Sequence, residues 1–208
     1  MDKTLSLTFD DGPDAQWTRR ILGALSAADA RATFFMVGER VRAAPDTALA
    51  VLEAGHEVQL HCDRHVRHSE LSEAEIERDT RAGLESLAAL GVRPTLWRTP
   101  WGVRTQASER VARAHRLRLV DWNVDTHDWR GDSPAAMLSA ARPLLADGAV
   151  VLMHDALGPG AHRVGCDNTL ALIEPLLSIA REESFAVVAL GETHPSIEHA
   201  GLTEGRAV

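Results

Sequence analysis

The chain has 208 residues, 45% hydrophobic and 25% charged, which is length enough for one full core and a composition that excludes both a disordered tail and a membrane-embedded protein. A net charge of −8 excludes the basic face that a nucleic-acid partner needs and disfavours docking on anionic lipid. Two cysteines, Cys62 and Cys166, are too few for a disulfide framework; both fall in predicted loops, so reduced thiols are the plain reading and a single bridge stays open.

The opening MDKTLSLTFDDGP enters a strand pattern at once, without a basic region, an apolar run or a small-residue cleavage site, and so predicts a cytoplasmic location; a chain trimmed of a leader would read the same. Residues 5–9 (LSLTF) form the first predicted strand and 17–28 a helix with apolar residues at helical spacing. A strand at 32–37 (ATFFMV), a helix at 47–54 and a strand at 57–60 follow, with Gly55 as the helix stop. Ser72 and Glu75 make an S-x-x-E capping box that opens a helix to about residue 90, closed by Gly91. Next come a strand at 95–98, a helix at 106–115, a strand at 118–124, and a helix at 134–145 capped by Ser133 with Pro134 at its first turn. A buried strand at 149–153 (AVVLM), a helix at 169–181 and a strand at 185–190 (FAVVAL) complete the pattern, and a polar tail runs on from about 192.

This alternation predicts one domain over 1–208, a parallel sheet covered by helices. About seven strands suggest a (β/α) barrel short of eight; an open doubly wound sheet is the competing layout. The unusual polar residues fall at the C-terminal ends of different strands, where both layouts build sites. Asp10 and Asp11 follow the first strand, His61 and His65 the third, Arg98 ends the fourth, Asp125 and Asp128 follow the fifth, and His154 the sixth. His61 and His65 are spaced i, i+4, so that one helical turn aims both imidazoles at a single ion, and a neighbouring carboxylate would complete a three-ligand site. Each signal is weak alone, since a histidine pair is usually a solvated helix face and Asp-Asp-Gly-Pro is good turn chemistry. Together they point to one carboxylate for a metal and one for proton transfer.

In this order the motifs resemble those of the polysaccharide deacetylase family, the NodB-homology carbohydrate esterases of family 4, over nearly the whole chain. Thr8-Phe9-Asp10-Asp11-Gly12-Pro13, His61-Cys62-Asp63-Arg64-His65, Arg98-Thr99-Pro100-Trp101-Gly102, Asp125-Thr126-His127-Asp128-Trp129 and Leu152-Met153-His154 are similar to its five motifs. The resemblance implies a distorted (β/α)7 barrel of TIM-barrel-like type that removes N-acetyl groups from an amino sugar or oligosaccharide. It further implies that Asp11, His61 and His65 hold a divalent metal, usually zinc with cobalt or another ion as alternatives. Asp10 is then the base, Arg98 its partner, His154 the acid, and Asp128 the partner of His154. The Trp101 N–H serves the oxyanion, and Pro100, Trp101, Trp129 and Leu152 meet the substrate.

Cys62 replaces the Ser or Thr usual after the first histidine, and Trp101 stands where Tyr is common, in a chain without tyrosine; a backbone donor should survive that exchange. Trp97 and Trp122 are expected in the core, His56 as a structural residue, and Arg67, His68, His162 and Arg163 as solvated loop residues, with contact to an anionic group as their alternative role. His127 has no assigned role. The competing functions are hydrolysis of a non-sugar amide on the same scaffold and a catalytically dead binding module. No nucleophile elbow or P-loop is present, and nothing points to a protein partner.

Overall fold

In the computed structural model, which describes residues 3–193, the chain builds outward from its first strand. β1 (Lys3–Asp10) is buried from Leu5 onward, as a strand inside a sheet covered on both faces must be. Leu5, Leu7 and Phe9 pack into the main apolar core with Ile21, Phe34 and Leu60. With the two-residue period of a strand, Thr8 and Asp10 turn to the other face, where Thr8 Oγ1 donates to the Val151 carbonyl at 2.7 Å.

After β1 come α1 (Trp17–Ala27), β2 (Thr33–Val37), α2 (Gly38–Ala43), α3 (Pro45–Glu53), β3 (Glu57–Cys62), α4 (Glu73–Ala88), β4 (Leu96–Trp97) and α5 (Gln106–Ala114). The second half holds β5 (Arg118–Leu119), β6 (Val124–Asp125), α6 (Pro134–Ala141), β7 (Ala149–His154), α7 (Asp167–Glu182), β8 (Phe185–Val187) and α8 (Leu190–Thr193). The sheet runs β5-β4-β3-β2-β1-β7-β6, and β8 pairs with the start of β1. The pairings are parallel. This is a half-barrel of parallel strands with helices outside, the distorted (β/α)7 arrangement expected, and not an open doubly wound sheet.

Several helices follow from sequence chemistry. Ile21, Leu22 and Leu25 of α1 are buried at helical spacing, and the Ser72–Glu75 capping box is formed in both directions at the start of α4. Ser133 Oγ accepts from the Ala136 N–H behind Pro134.

The expected strand at 118–124 is two short strands at opposite edges of the sheet. β5 pairs with β4, whereas β6 pairs with β7, so residues 120–123 cross the seam where the barrel stays open. The helix expected at 47–54 is α3, and a further short helix, α2, precedes it; Pro45 lacks the N–H needed to continue α2 and instead starts α3. The strand at 185–190 stops at Val187, and Glu192 and Thr193 belong to α8, while the rest of the expected tail lies outside the described residues. Cys62 ends β3, Cys166 precedes α7, and both are free and buried.

The interior of the half-barrel is narrow. Phe35, Leu96, Val120 and Leu190 form a separate apolar plug inside it, each such buried side chain contributing about 1.5–3 kcal/mol. The Arg98 guanidinium lies 4.2 Å above the Phe35 ring, so the plug is the floor on which the polar mouth is laid. No helix among the described residues is long and apolar enough to cross a membrane.

Candidate metal centre and the cavity around it

Adjacent residues on a strand point to opposite faces, yet Asp10 and Asp11 both line one cavity of about 410 Å³. Asp11 makes this possible by leaving the strand in the left-handed region, at φ 75°. The Asp10 carboxylate accepts from Arg98 at 2.9 Å, and the same guanidinium donates to Thr8 Oγ1 at 2.7 Å and to the Asp121 carbonyl at 3.1 Å. Arg98 is wholly buried, so this ion pair is held in a fixed geometry.

His61 is the penultimate residue of β3, and His65 lies in the loop beyond it, so the expected shared helical turn is absent. The loop is shaped instead by Asp79 on α4, whose carboxylate accepts from the Asp63 and Arg64 N–H groups at 2.8 and 2.9 Å. That turn brings His65 back beside His61, with ring centroids 5.0 Å apart. Asp11 Oδ1 stands 3.3 Å from His61 Nε2 and 3.2 Å from His65 Nε2.

Two observations fit these three residues to a cation. His61 Nδ1 is 2.6 Å from the Arg98 carbonyl, which only accepts, so Nδ1 carries the proton and the Nε2 lone pair of the neutral ring faces Asp11. Asp11 Oδ1 is buried without a hydrogen-bond donor, although both imidazole nitrogens stand close to it. Donor spacings of this size match the edges of a zinc tetrahedron, roughly 3.3 Å for bonds of 2.0–2.1 Å. Burial alone would raise the Asp11 carboxyl, but the two imidazoles and the charge of His154 outweigh it and hold Asp11 well below the usual carboxylate range. Burial likewise works against a charged His61, and the fields of Asp10 and Asp11 raise it in spite of that. That negative field suits a divalent ion.

A second buried pair lies across the cavity. His154 Nδ1 is 2.7 Å from Asp128 Oδ1, and Asp128 Oδ2 accepts from the His154 N–H at 2.9 Å, Thr169 Oγ1 at 2.7 Å and Arg163 at 2.8 Å. Burial would strip the proton from His154, but the adjacent Asp128 carboxylate, joined by Asp11 and Asp10, raises it to about 9.

Of the residues expected at the site, Asp10, Asp11, His61, His65, Trp101, Trp129, Leu152 and His154 line the cavity, with Arg98 and Asp128 behind Asp10 and His154. Pro100 does not line it; it is buried beneath the turn that carries Trp101, itself left-handed at φ 53°. Trp97 is core, as expected, but Trp122 lines the cavity wall, because it rides the seam crossing and not a strand. Its ring fills the space above Gly102, where a Cβ would stand 2.8 Å from it.

Arg163, expected in solvent, is buried against Asp128, Thr169 and the carbonyls of His154 and Ala156. His68 is also inside, bonded to Ser108 Oγ at 2.9 Å and packed on Trp97. His162 is exposed, as expected. His56 is buried, its Nδ1 accepting from the Ala32 N–H, and His127 pairs with Asp125 at 2.9 Å.

The parallel half-barrel thus gathers an Asp-His-His trio and a third histidine, His154, at one mouth. Residues 1–120 match the polysaccharide deacetylase family. The chain is 30% identical to a peptidoglycan-N-acetylglucosamine deacetylase of Bacillus cereus, over 92% of this chain and 88% of that protein. It is 28% identical to a chitooligosaccharide deacetylase of Bradyrhizobium, over 92% and 91%. The solved structure of a family 4 carbohydrate esterase from Streptomyces lividans, in complex with acetate, superposes with a TM-score of 0.80 at 30% identity, covering 88% of this chain and 91% of that one. The chain belongs to the polysaccharide deacetylase family.

Proposed function

We propose that this protein hydrolyses the N-acetyl group of an N-acetylated amino sugar or oligosaccharide, with Asp10 as base and His154 as acid. The observation that carries this is the convergence, on one cavity, of a carboxylate held by a buried arginine, an Asp-His-His trio and a histidine held by a buried aspartate. Asp11, His61 and His65 would hold a divalent cation, most simply zinc, which when bound would supply a Lewis acid for the amide carbonyl and the attacking water.

The protein's own groups do the rest. Arg98 donates to Oδ1 of Asp10, leaving the second carboxylate oxygen to take a proton from the attacking water. The Trp101 N–H donates to the oxygen as the carbonyl carbon becomes tetrahedral. His154 donates its Nε2 proton to the departing amine, and Asp128 at Nδ1 fixes that ring orientation. An amine is a poor leaving group, so the mechanism needs a donor that stays charged at neutral pH, and His154 meets that need.

The sugar reading is supported by the relatives named above and by Trp122 and Trp129 in the cavity wall, since aromatic faces stack on pyranose rings. Acetate release decides it, measured on N-acetylglucosamine oligomers and simple acetamides with metal-free protein, zinc-loaded protein and Asp10→Asn. Zinc-dependent release from the sugars, abolished by the substitution, is expected. No release from protein with stoichiometric zinc would sink the deacetylase reading, and release from acetamides alone would move it to a non-sugar amide.

A further inference from the structure

The charges around the cavity are almost all spoken for. Asp10 is paired with Arg98, Asp11 faces His61 and His65, and Asp128 holds both His154 and Arg163. Asp125, also at the wall, accepts from the His127 backbone N–H at 2.7 Å. Among the described residues, Arg67 is the cavity-lining cation with no carboxylate beside it. Its guanidinium carbon sits 4.3 Å from the centre of the Trp101 ring, and the same indole meets the His65 imidazole at 4.1 Å. A single indole thus separates an uncommitted cation from a residue of the candidate metal centre.

We propose that Arg67 is an anion subsite, and that the preferred substrate carries a carboxylate on the sugar that presents its acetamide, or on its neighbour. Contact with the Trp101 ring anchors the guanidinium, and a guanidinium edge can pair with a planar, singly charged group through two parallel hydrogen bonds. A phosphate monoester suits the place less well, because its charge of nearly −2 would face three acidic side chains with one arginine to offset it. The protein's overall charge of −8 does not forbid a carboxylate, since exposed charges beyond about 8–10 Å are screened at physiological salt while a contact cation is not. The choice of substrate rests on the deacetylase reading; the subsite itself is open to a binding measurement that needs no turnover.

Calorimetric titration of zinc-loaded Asp10→Asn compares two disaccharides: one of N-acetylglucosamine alone, and one in which a ring bears an ether-linked lactate. The acidic ligand is expected to bind about tenfold more tightly at low salt, with the advantage shrinking as salt rises. Converting its carboxylate to the amide should erase the difference without touching the protein, and Arg67→Gln in the same background should bring the acidic and the neutral disaccharide to equal affinity. Equal binding of the acidic and neutral disaccharides, or a preference that survives both amidation and Arg67→Gln, would overturn the subsite. If the preference holds but zinc-loaded wild-type protein releases no acetate from either disaccharide, the subsite stands and the deacetylase reading falls.

Discussion

Asp10 and His154 are register partners at the last step of the β1–β7 ladder. Neighbouring strands lie about 4.8 Å apart, so a residue proposed to take a proton and one proposed to give it are placed by the sheet itself and not by a loop. Each is then fixed from behind by a buried partner of opposite charge, Arg98 for Asp10 and Asp128 for His154.

Asp10→Asn and His154→Asn should each lower kcat for acetate release by roughly a hundredfold to ten-thousandfold. The double variant should lose little more than the worse single one, because the two act in one proton-transfer sequence. Zinc content should remain stoichiometric in all three. Near wild-type rates would show that these residues do not carry the proton steps, and additive losses would show that they act independently.

His154 is raised from 6.5 to about 9 against the cost of burial, with Asp128 the largest opposing cause and Asp11 and Asp10 behind it. The folded protein therefore binds this proton more tightly than the unfolded chain. The resulting stability is fully present below pH 6.5 and is lost as pH rises through about 9. The same group sets an alkaline limb on kcat, and Asp128→Asn should move that limb to lower pH. Because Asp128 outweighs Asp11, part of the elevation should persist when a cation neutralises Asp11. A rate profile flat from pH 6 to 10 would contradict the assignment.

Removing Arg163 leaves the Asp128 carboxylate buried with less compensation and frees the carbonyls of His154 and Ala156. Arg163→Met should cost about 3–5 kcal/mol in urea denaturation. Arg163→Lys should recover little of this, since one ammonium cannot span both the carboxylate and two carbonyls. A loss below 1 kcal/mol would mean that the contacts are no stronger than those on a surface.

Gly158 passes so close to the candidate metal centre that a Cβ there would stand 2.0 Å from Asp11 Oδ2. Gly158→Ala should displace that carboxylate and weaken zinc binding by about 10–100-fold, on the scale of lost supporting contacts, with the core untouched. Zinc should raise Tm in the wild-type protein through preferential binding to the folded state, less in Gly158→Ala and not at all in His61→Ala. Equal rises in all three would remove Asp11 and His61 as ligands.

Strands, helices and most of the candidate site were legible because they rest on local rules. Apolar periodicity located β1, β2 and β7, the Ser72–Glu75 pair located α4, and polar residues at strand ends marked the mouth. Readings failed where distant parts of the chain decide the outcome. The mixed apolar and polar run at 118–124 does not reveal that its ends pair with strands on opposite sides of an open seam, and so Trp122 was assigned to the core. The helical spacing of His61 and His65 was overruled by Asp79, which bends the loop from another element. Arg163 lies among glycines and small residues in a segment with no periodic signal, and its burial is imposed by Asp128 and Thr169.

β1 is the first strand of the chain, yet it pairs with β7 along its length and with β8 at its start. Contacts that close such long loops form late and slow a folding reaction. On the ribosome β1 can pair with β2 soon after both are made, but the edge that carries the Asp10–His154 register stays open until residues near 150 and then 185 have emerged, more than a hundred residues later. Through that interval β1 is an apolar strand with one open edge, a state prone to pair with the wrong neighbour. A nascent chain stalled before β7 should consequently be held by chaperones and fail to retain zinc, and the metal centre should appear abruptly near the end of synthesis.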